Sequence, residues 1–429
     1  MKKTLSILSL AALGFFGCQQ QQNPTIRLVN TLDFDRSDVP VTMSRSQLKE
    51  KLQQESVAFP QILTAEGQPV PCQWDDLNGD GQWDQLAFVV DIPAKASVEY
   101  QLKPSASKAD FNRSTQIYMA KSPQKNEEYI SLNAEIRPKD HIDPCYPMLY
   151  QYEGIGWEND KVAFRSYFDA RNGKDIFGKR ISDLILQDVG IKGTNYHNLA
   201  DWGMDVLKVG TSLGSGAIGM EKNGKIYRLG ITEEAKFRVV AEGPARAIAQ
   251  VDYKGWKVDG QEYDITELIT IWKGQYYYES QLILNGGDGS ENLLTGVVNY
   301  KADNSVRYPK YNDQIACVST FSAQAEDKED PDQKLGMAVM VHQEVFKGFE
   351  EAPSTSYKNA LALNLQKGDD KDEPITDTYL VKIKPTPQGS TFRYYACWEL
   401  SDDRFKTAEG FNQLMKEEAE EMNAPLLLQ

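Results

Sequence analysis

Imidazole chemistry is scarce in this chain, which has three histidines in 429 residues. One of them stands in Asn195-Tyr196-His197-Asn198, shortly before Asp201-Trp202-Gly203-Met204-Asp205. An imidazole titrates near neutrality, so His197 can take or give a proton, with Tyr196 assisting and Asp205 orienting it. The plainer reading is a surface hydrogen-bonder. His141, inside Lys139-Asp140-His141-Ile142-Asp143-Pro144, reads as a loop residue, and His342 as the end of a strand. A second polar–aromatic cluster runs Gly154-Ile155-Gly156-Trp157-Glu158-Asn159-Asp160-Lys161-Val162-Ala163-Phe164-Arg165. Trp157 can stack on a sugar face, and Asn159 and Trp202 are further candidate substrate contacts. Glu158 and Asp160 can orient hydroxyls or share acid–base work. Arg165 carries the planar fork that pairs with a carboxylate. The structural alternative is a strand edge in which Glu158 or Asp160 pairs with Arg165.

A third motif is Asp76-Leu77-Asn78-Gly79-Asp80-Gly81-Gln82-Trp83-Asp84. Alternating carboxylate and amide oxygens at Asp76, Asn78, Asp80 and Asp84, with Gly at the sixth place, suit a structural Ca²⁺. The twelfth place is Ala87 instead of a bidentate Glu, and a strand follows instead of a helix. The competing reading is an Asx-rich turn that hydrogen-bonds itself. Leu213-Gly214-Ser215-Gly216-Ala217 is Gly-rich but lacks a P-loop Lys and a following helix, so phosphate binding is not expected.

The elements that must position these groups are mostly strands. Tyr263 to Trp272 and Tyr276 to Leu284 alternate with period two around Lys273-Gly274-Gln275, which predicts a hairpin. Shorter alternating runs fill the rest. Ser44 to Ser56 can form a short helix, and Phe411, Leu414, Met415 and Met422 recur at helical spacing after the cap candidate Thr407. The expected fold is mostly β: a small N-terminal β-sandwich over 25–103, a polar linker over 104–113, and a large antiparallel β-supersandwich over 114–429 with one C-terminal helix.

Lys2 and Lys3 precede an apolar stretch from Leu5 to Phe16, then Gly17-Cys18 and four glutamines. This resembles a lipoprotein signal peptide over 1–17, with Cys18 the lipidated residue and 18–24 a tether. Its apolar stretch is shorter than the ~20 residues a membrane span needs. Cys72, Cys145, Cys317 and Cys397 show no C-x-x-C spacing and read as free, buried thiols. With 47 Lys and Arg against 62 Asp and Glu, the formal charge is −15. That excludes a nucleic-acid backbone as the expected partner. The 21 tyrosines and seven tryptophans suit a sugar-contacting exoprotein.

Trp157 through Arg165, Tyr196-His197, Gly203-Met204-Asp205-Val206-Leu207-Lys208-Val209-Gly210, and Trp398-Glu399 with Ala424-Pro425-Leu426 together resemble a bacterial family of exported proteins, domain of unknown function 4861. The Asp75 to Asp84 loop resembles that family's first domain. Members commonly carry Asp-Phe-Tyr where this chain has Asp205-Val206-Leu207. The resemblance implies a polysaccharide-degradation context and a galactose-mutarotase-like large domain, with no established reaction. The expectation is a carbohydrate-active protein lipid-anchored in the cell envelope, at the periplasmic or the surface face of the outer membrane, acting on plant-type oligosaccharides, uronic-acid-containing ones among them, by lyase, mutarotase or hydrolase chemistry. In it His197, Tyr196, Glu158, Asp160 and Arg165 do the chemistry, and Arg165 neutralises a uronate carboxylate. The alternative is a non-catalytic glycan-binding lipoprotein of a surface uptake system.

Overall fold

The computed structural model describes residues 23–53, 58–122, 128–138, 141, 149–191, 193–299, 311–323, 332–354 and 374–429. The proposed signal peptide, Cys18 and Cys145 lie outside them.

Thr25–Val29, Gln61–Leu63 and Ser97–Lys103 form one sheet; Arg36–Ser44, Cys72–Asp75 and Gln85–Ile92 form another. Alternating burial along these strands places Ile26, Leu28, Val41, Leu86, Phe88, Val90 and Leu102 in one core between the sheets. The helix Arg45–Leu52 closes that core with Leu48 and Leu52. It starts at a capping box: the Ser44 hydroxyl accepts from the Gln47 amide, and the Gln47 side chain accepts from the Ser44 amide. Ala109 and Phe111, in the polar tract expected to be a linker, pack against the same core.

The larger β region is built on an eight-stranded sheet in the order Ala134–Ile136, Glu234–Ala241, Arg246–Val258, Gln261–Trp272, Tyr277–Asn285, Ser390–Trp398, Leu335–His342 and Ile315–Ser322, antiparallel throughout. The period-two hairpin spans Gln261–Trp272 and Tyr277–Asn285, with Ile265, Ile269 and Ile271 buried on one face. Two five-stranded sheets cover that face. One supplies Trp157, Phe164, Ile176 and Met204 to the shared core, the other Met220, Leu293, Val297 and Val381, against Val251, Tyr278 and Phe392 of the large sheet. The interior between the sheets is therefore a packed, mainly apolar layer that also encloses the Lys174–Glu267 ion pair.

On the outer side of the large sheet lies the helix Ala408–Asn423. Thr407 caps it by accepting from the Gly410 amide, and Phe411 and Met415 pack onto Tyr277, Cys317, Met340, Tyr395 and Cys397. The described structure thus holds two helices, the short N-terminal one as well as the C-terminal one. Cys72, Cys317 and Cys397 are buried free thiols. No helix among the described residues is long and apolar enough to cross a membrane.

The N-terminal sheets are fastened to the large one by buried polar contacts. The Gln73 Oε1 accepts from the Ala245 and Arg246 amides, and Arg246 Nε lies 2.7 Å from Asp75 Oδ2. After the C-terminal helix the chain returns to the first sheet, where Leu427–Leu428 pairs with Leu28 and Val29.

Candidate functional site

The five-stranded sheet in the order Gly203–Asp205, Lys174–Lys179, Val162–Tyr167, Gly154–Glu158, Gln116–Tyr118 is buried on both faces. Its inner face joins the sandwich core. Its outer face is covered by residues 180–191 and 193–202, of which Ile185, Leu186 and Val189 pack on Tyr152, Ala163 and Phe177. Gly156 is required there: a Cβ would meet the Tyr152 hydroxyl at 2.8 Å and Leu186 Cδ1 at 2.9 Å. Gly203, at φ +135°, lies so close to the Gly178 carbonyl that a Cβ would stand 1.8 Å from its oxygen.

Register sets the charges on this outer face. Arg165 lies opposite Asp175, and Phe177 opposite Asp205. The Arg165 side chain is 2% exposed, among the rings of Tyr167, Phe177 and Tyr196 at 5.0, 5.2 and 5.1 Å. Its Nη2 donates to Asp175 Oδ2 (2.6 Å) and Asp205 Oδ2 (2.9 Å), and its Nε to Asp175 Oδ2 (3.2 Å). Its Nη1 donates to the Tyr152 carbonyl (3.2 Å) and the Tyr196 hydroxyl (3.1 Å), and approaches Glu153 at 3.5 Å. Tyr167 donates to Asp175 Oδ2 at 2.8 Å. Arg171 packs over the Tyr167 ring at 4.1 Å and pairs with Asp169 (2.6 Å) and Glu153 (3.0 Å).

One guanidinium thus serves two buried carboxylates. Burial, followed by the Asp205 charge, raises the Asp175 carboxyl to about 7 against the pull of Arg165. Asp205 Oδ2 also lies 3.3 Å from Nδ1 of His197, whose side chain is 58% exposed. The hydrogen bond to Asp205 raises the imidazole above its ordinary value, with burial opposing. Nδ1 turned to a carboxylate leaves Nε2 for a ligand. The loop is held by its backbone: the Asp205 amide donates to the Tyr196 carbonyl (2.8 Å), and the His197 amide to Asn195 Oδ1 (3.1 Å). The Tyr196 ring lies 4.5 Å from the imidazole and 5.7 Å from Phe177. Burial raises the Tyr196 hydroxyl, with Arg165 opposing.

Arg165, Tyr196, His197 and Asp205 therefore form one cluster, and the other sequence candidates stand apart from it. Trp157 is fully buried on the inner face, stacked on Phe164 at 5.9 Å and edge-on to Tyr278 at 5.1 Å, so it has no face for a sugar. Glu158 is fully buried and binds Lys179 Nζ (2.7 Å), Gln116 Nε2 (2.5 Å) and the Ile185 and Leu186 amides (2.7 and 2.8 Å). It anchors the covering chain instead of meeting substrate. The Asn159 amide donates to the Trp272 and Gln275 carbonyls, and Asp160 Oδ1 accepts from the Gly274 amide at 2.7 Å. Both tie their turn to the large sheet. Trp202 is half-buried, edge-on to Phe177. Arg165 has its donors engaged inside the protein and is not placed to pair with a substrate carboxylate.

Asp175, Tyr167, Glu153 and Arg171 were not singled out in the sequence. A charged residue inside the strand run Lys174-Asp175-Ile176-Phe177 was the available signal. Gly210-Thr211-Ser212-Leu213-Gly214 has G-x-S-x-G spacing. However, Ser212 is buried, its hydroxyl donates to the Val209 carbonyl (2.5 Å), and no helix follows. That context is not a nucleophile elbow. His141 is buried edge-on to Tyr150, and His342 ends its strand.

In the Asp76 to Asp84 turn the side chains bind the turn's own backbone. Asp76 accepts from the amides of Gly79 (2.7 Å), Asp80 (3.2 Å) and Gly81 (2.7 Å), and Asp84 from Leu77 (2.8 Å). Among the described residues no group of three or more His, Cys, Asp or Glu is arranged to hold a metal.

A family model described as "Domain of unknown function (DUF4861)" matches residues 28–427. "Uncharacterized protein P7" of Formosa agariphila is 21% identical over 457 residues, covering 99% of both chains. Among solved structures, an alpha-mannosidase from Enterococcus faecalis V583 matches with TM-score 0.47 and 11% identity over 95% of this chain and 46% of its own. A glycosyl hydrolase family 38 protein from Enterococcus faecalis matches with TM-score 0.46 and 10% identity over 95% and 47%. This chain spans about half the length of those two solved structures.

Proposed function

The chain belongs to the family described as Domain of unknown function (DUF4861), and on that premise we propose that it is a carbohydrate-active protein that transfers a proton on a sugar through His197. The observation that carries this reading is the exposed imidazole backed at 3.3 Å by Asp205, a carboxylate itself fixed by Arg165. In this reading Asp205 keeps the Nδ1 proton of His197, and Nε2 meets a sugar oxygen. The raised basicity of His197 keeps a donor population near neutral pH, and the neutral ring accepts the proton back. Arg165 acts as a positioning residue that holds Asp205 and Tyr196. Because its donors are engaged, the reading favours a neutral sugar over a uronate, and hydroxyl or ring-oxygen proton transfer over lyase chemistry. Trp202 and Tyr196 flank the substrate.

The same reading anchors the mature chain in the cell envelope, at the outer membrane, through a lipid on Cys18. Its support is the Gly17-Cys18 pair that ends the apolar stretch after Lys2 and Lys3. The region 25–103 acts as a spacer domain between the tether and the sandwich. A second reading, a glycan-binding protein without turnover, is favoured by one observation: Asp175 and Asp205 are 2% and 4% exposed and already paired, which leaves His197 without a second exposed carboxylate.

The test is a screen of the purified mature chain against neutral and uronic-acid oligosaccharides, followed for turnover and for binding. His197→Ala is expected to lower turnover by about 10²-fold or more while binding persists. Turnover equal to the parent's overturns the assignment of His197. Binding without turnover in the parent selects the second reading.

A further inference from the structure

The described residues leave a cleft of 560 Å³ at the opposite edge of the same five-stranded sheet, a volume within the ~300–1,000 Å³ range of small-molecule sites. Its walls are the edge strand Gln116–Tyr118, the strand end at Ser131 with Asn133 beyond it, and the covering chain at Leu184 and Gln187. The row Asp205, Phe177, Ala163, Glu158, Gln116 crosses the sheet from the imidazole to the cleft. Four strand spacings separate the two, about 19 Å. Ile185 and Leu186, buried on that face, stand between them.

The chemistry of the lining is specific. Arg113 and Glu242, the charged residues there, are paired with each other at 3.1 Å, and the second Glu242 oxygen accepts from the Ile117 amide at 2.9 Å. The cleft therefore presents no unbalanced charge. Its polar surface is otherwise neutral. Gln116 Nε2 is fixed between Glu158 (2.5 Å) and Gln187 Oε1 (3.0 Å), which turns its Oε1 free of any protein partner among the described residues. The Asn133 amide and the Ser131 hydroxyl also have no partner among them. Tyr118 is held through its hydroxyl to Gln151 Oε1 at 3.3 Å, and its half-buried ring, with Leu132, supplies apolar surface. Fixed amides beside an aromatic ring match a ligand that carries hydroxyls on its rim and C–H groups on its face.

We infer that this cleft is a retention subsite for a neutral oligosaccharide, separate from the proton-transfer site at His197. The inference rests on the carbohydrate reading for the ligand's class and on the geometry above for its place. The subsite holds a sugar chain without reacting with it, since no unpaired acid or base lines it.

The experiment is calorimetric titration of the mature chain with neutral gluco-, manno-, xylo- and galacto-tetrasaccharides, and with tetragalacturonate as the charged control. At least one neutral tetrasaccharide is expected to bind. Ser131→Trp, at an exposed position, fills the cleft and is expected to weaken that binding by about tenfold or more; Asn133→Ala is expected to weaken it about fivefold. His197→Ala leaves it unchanged. Unaltered melting temperatures establish that the variants fold. Absence of neutral-sugar binding, binding indifferent to Ser131→Trp, or tighter binding of tetragalacturonate overturns the inference. Loss of all binding in His197→Ala places the ligand at the imidazole instead and overturns the subsite, whereas neutral-sugar turnover that depends on His197 but not on Ser131 or Asn133 keeps the proposed function standing without it. Cleft binding with no turnover of any sugar sinks the proton-transfer reading and leaves the subsite intact.

Discussion

Lys174 and Asp175 are neighbours on one strand and point to opposite faces. Lys174 enters the sandwich core, where its Nζ lies 2.5 Å from Glu267 Oε1 and 5.9 and 5.3 Å from the rings of Trp157 and Tyr278. Ser280 donates to the same carboxylate oxygen at 2.5 Å. Asp175 turns outward to Arg165, and through Asp205 that assembly reaches an imidazole in solvent. Both assemblies bury ion pairs. One is sealed by aromatic rings, and the other ends at a group a ligand can touch. Burial of charge alone therefore does not mark a site. What separates the two is that only the outer assembly reaches the surface.

The sharpest break of this contrast is Glu267→Ala. It leaves Lys174 in the core without its carboxylate partner, where burial already lowers the pKa of the ammonium, and is expected to cost about 3–5 kcal/mol of unfolding free energy by denaturant titration. The double replacement Lys174→Met with Glu267→Leu is expected to recover most of that loss. If Glu267→Ala unfolds like the parent, the sealed pair is not structural. Next in size is Asp205→Asn, expected to lower turnover by about 10–100-fold and to move the His197 limb of the pH–rate profile to lower pH, because the carboxylate that raises the imidazole is gone. An unmoved limb separates Asp205 from His197.

Asp175→Asn probes the same cluster through stability. A carboxyl whose folded pKa is raised favours the fold while protonated. Its contribution is full below the unfolded value of about 3.9 and is lost as pH rises through the folded value of about 7. Melting temperatures of the parent should carry that decline and those of Asp175→Asn should lack it. Equal slopes would remove Asp175 as its source. The smallest effect is expected at the Asp76 to Asp84 turn, which its own amides already close. Chelator followed by Ca²⁺ should leave the melting temperature in place, and a rise with Ca²⁺ would favour the metal reading over the self-bonded turn.

How much was legible in the sequence follows from how many faces of an element meet water. The hairpin Gln261–Trp272 with Tyr277–Asn285 alternates because one face is buried and the other is partly wet. The helix Ala408–Asn423 shows its stripe for the same reason. Gly154–Glu158 and Val162–Tyr167 are buried on both faces. There polarity no longer reports exposure, and Trp157, Glu158 and Asn159 read like a binding surface while serving as scaffold. His197 and Tyr196 drew attention through the rarity of histidine and their polar loop. Asp175 did not, because only strand register brings it to Arg165.

The chain's last residues lie on its first strand: the Arg27 amide donates to the Gln429 carbonyl at 3.1 Å, and the Gln429 amide to the Arg27 carbonyl at 2.9 Å. Both ends of the described polypeptide thus share one pole, so a short joint could fuse them and new termini be opened elsewhere. A molecule clipped before Leu427 would instead bare the flank of Thr25–Val29, an unpaired ladder open to a neighbouring copy.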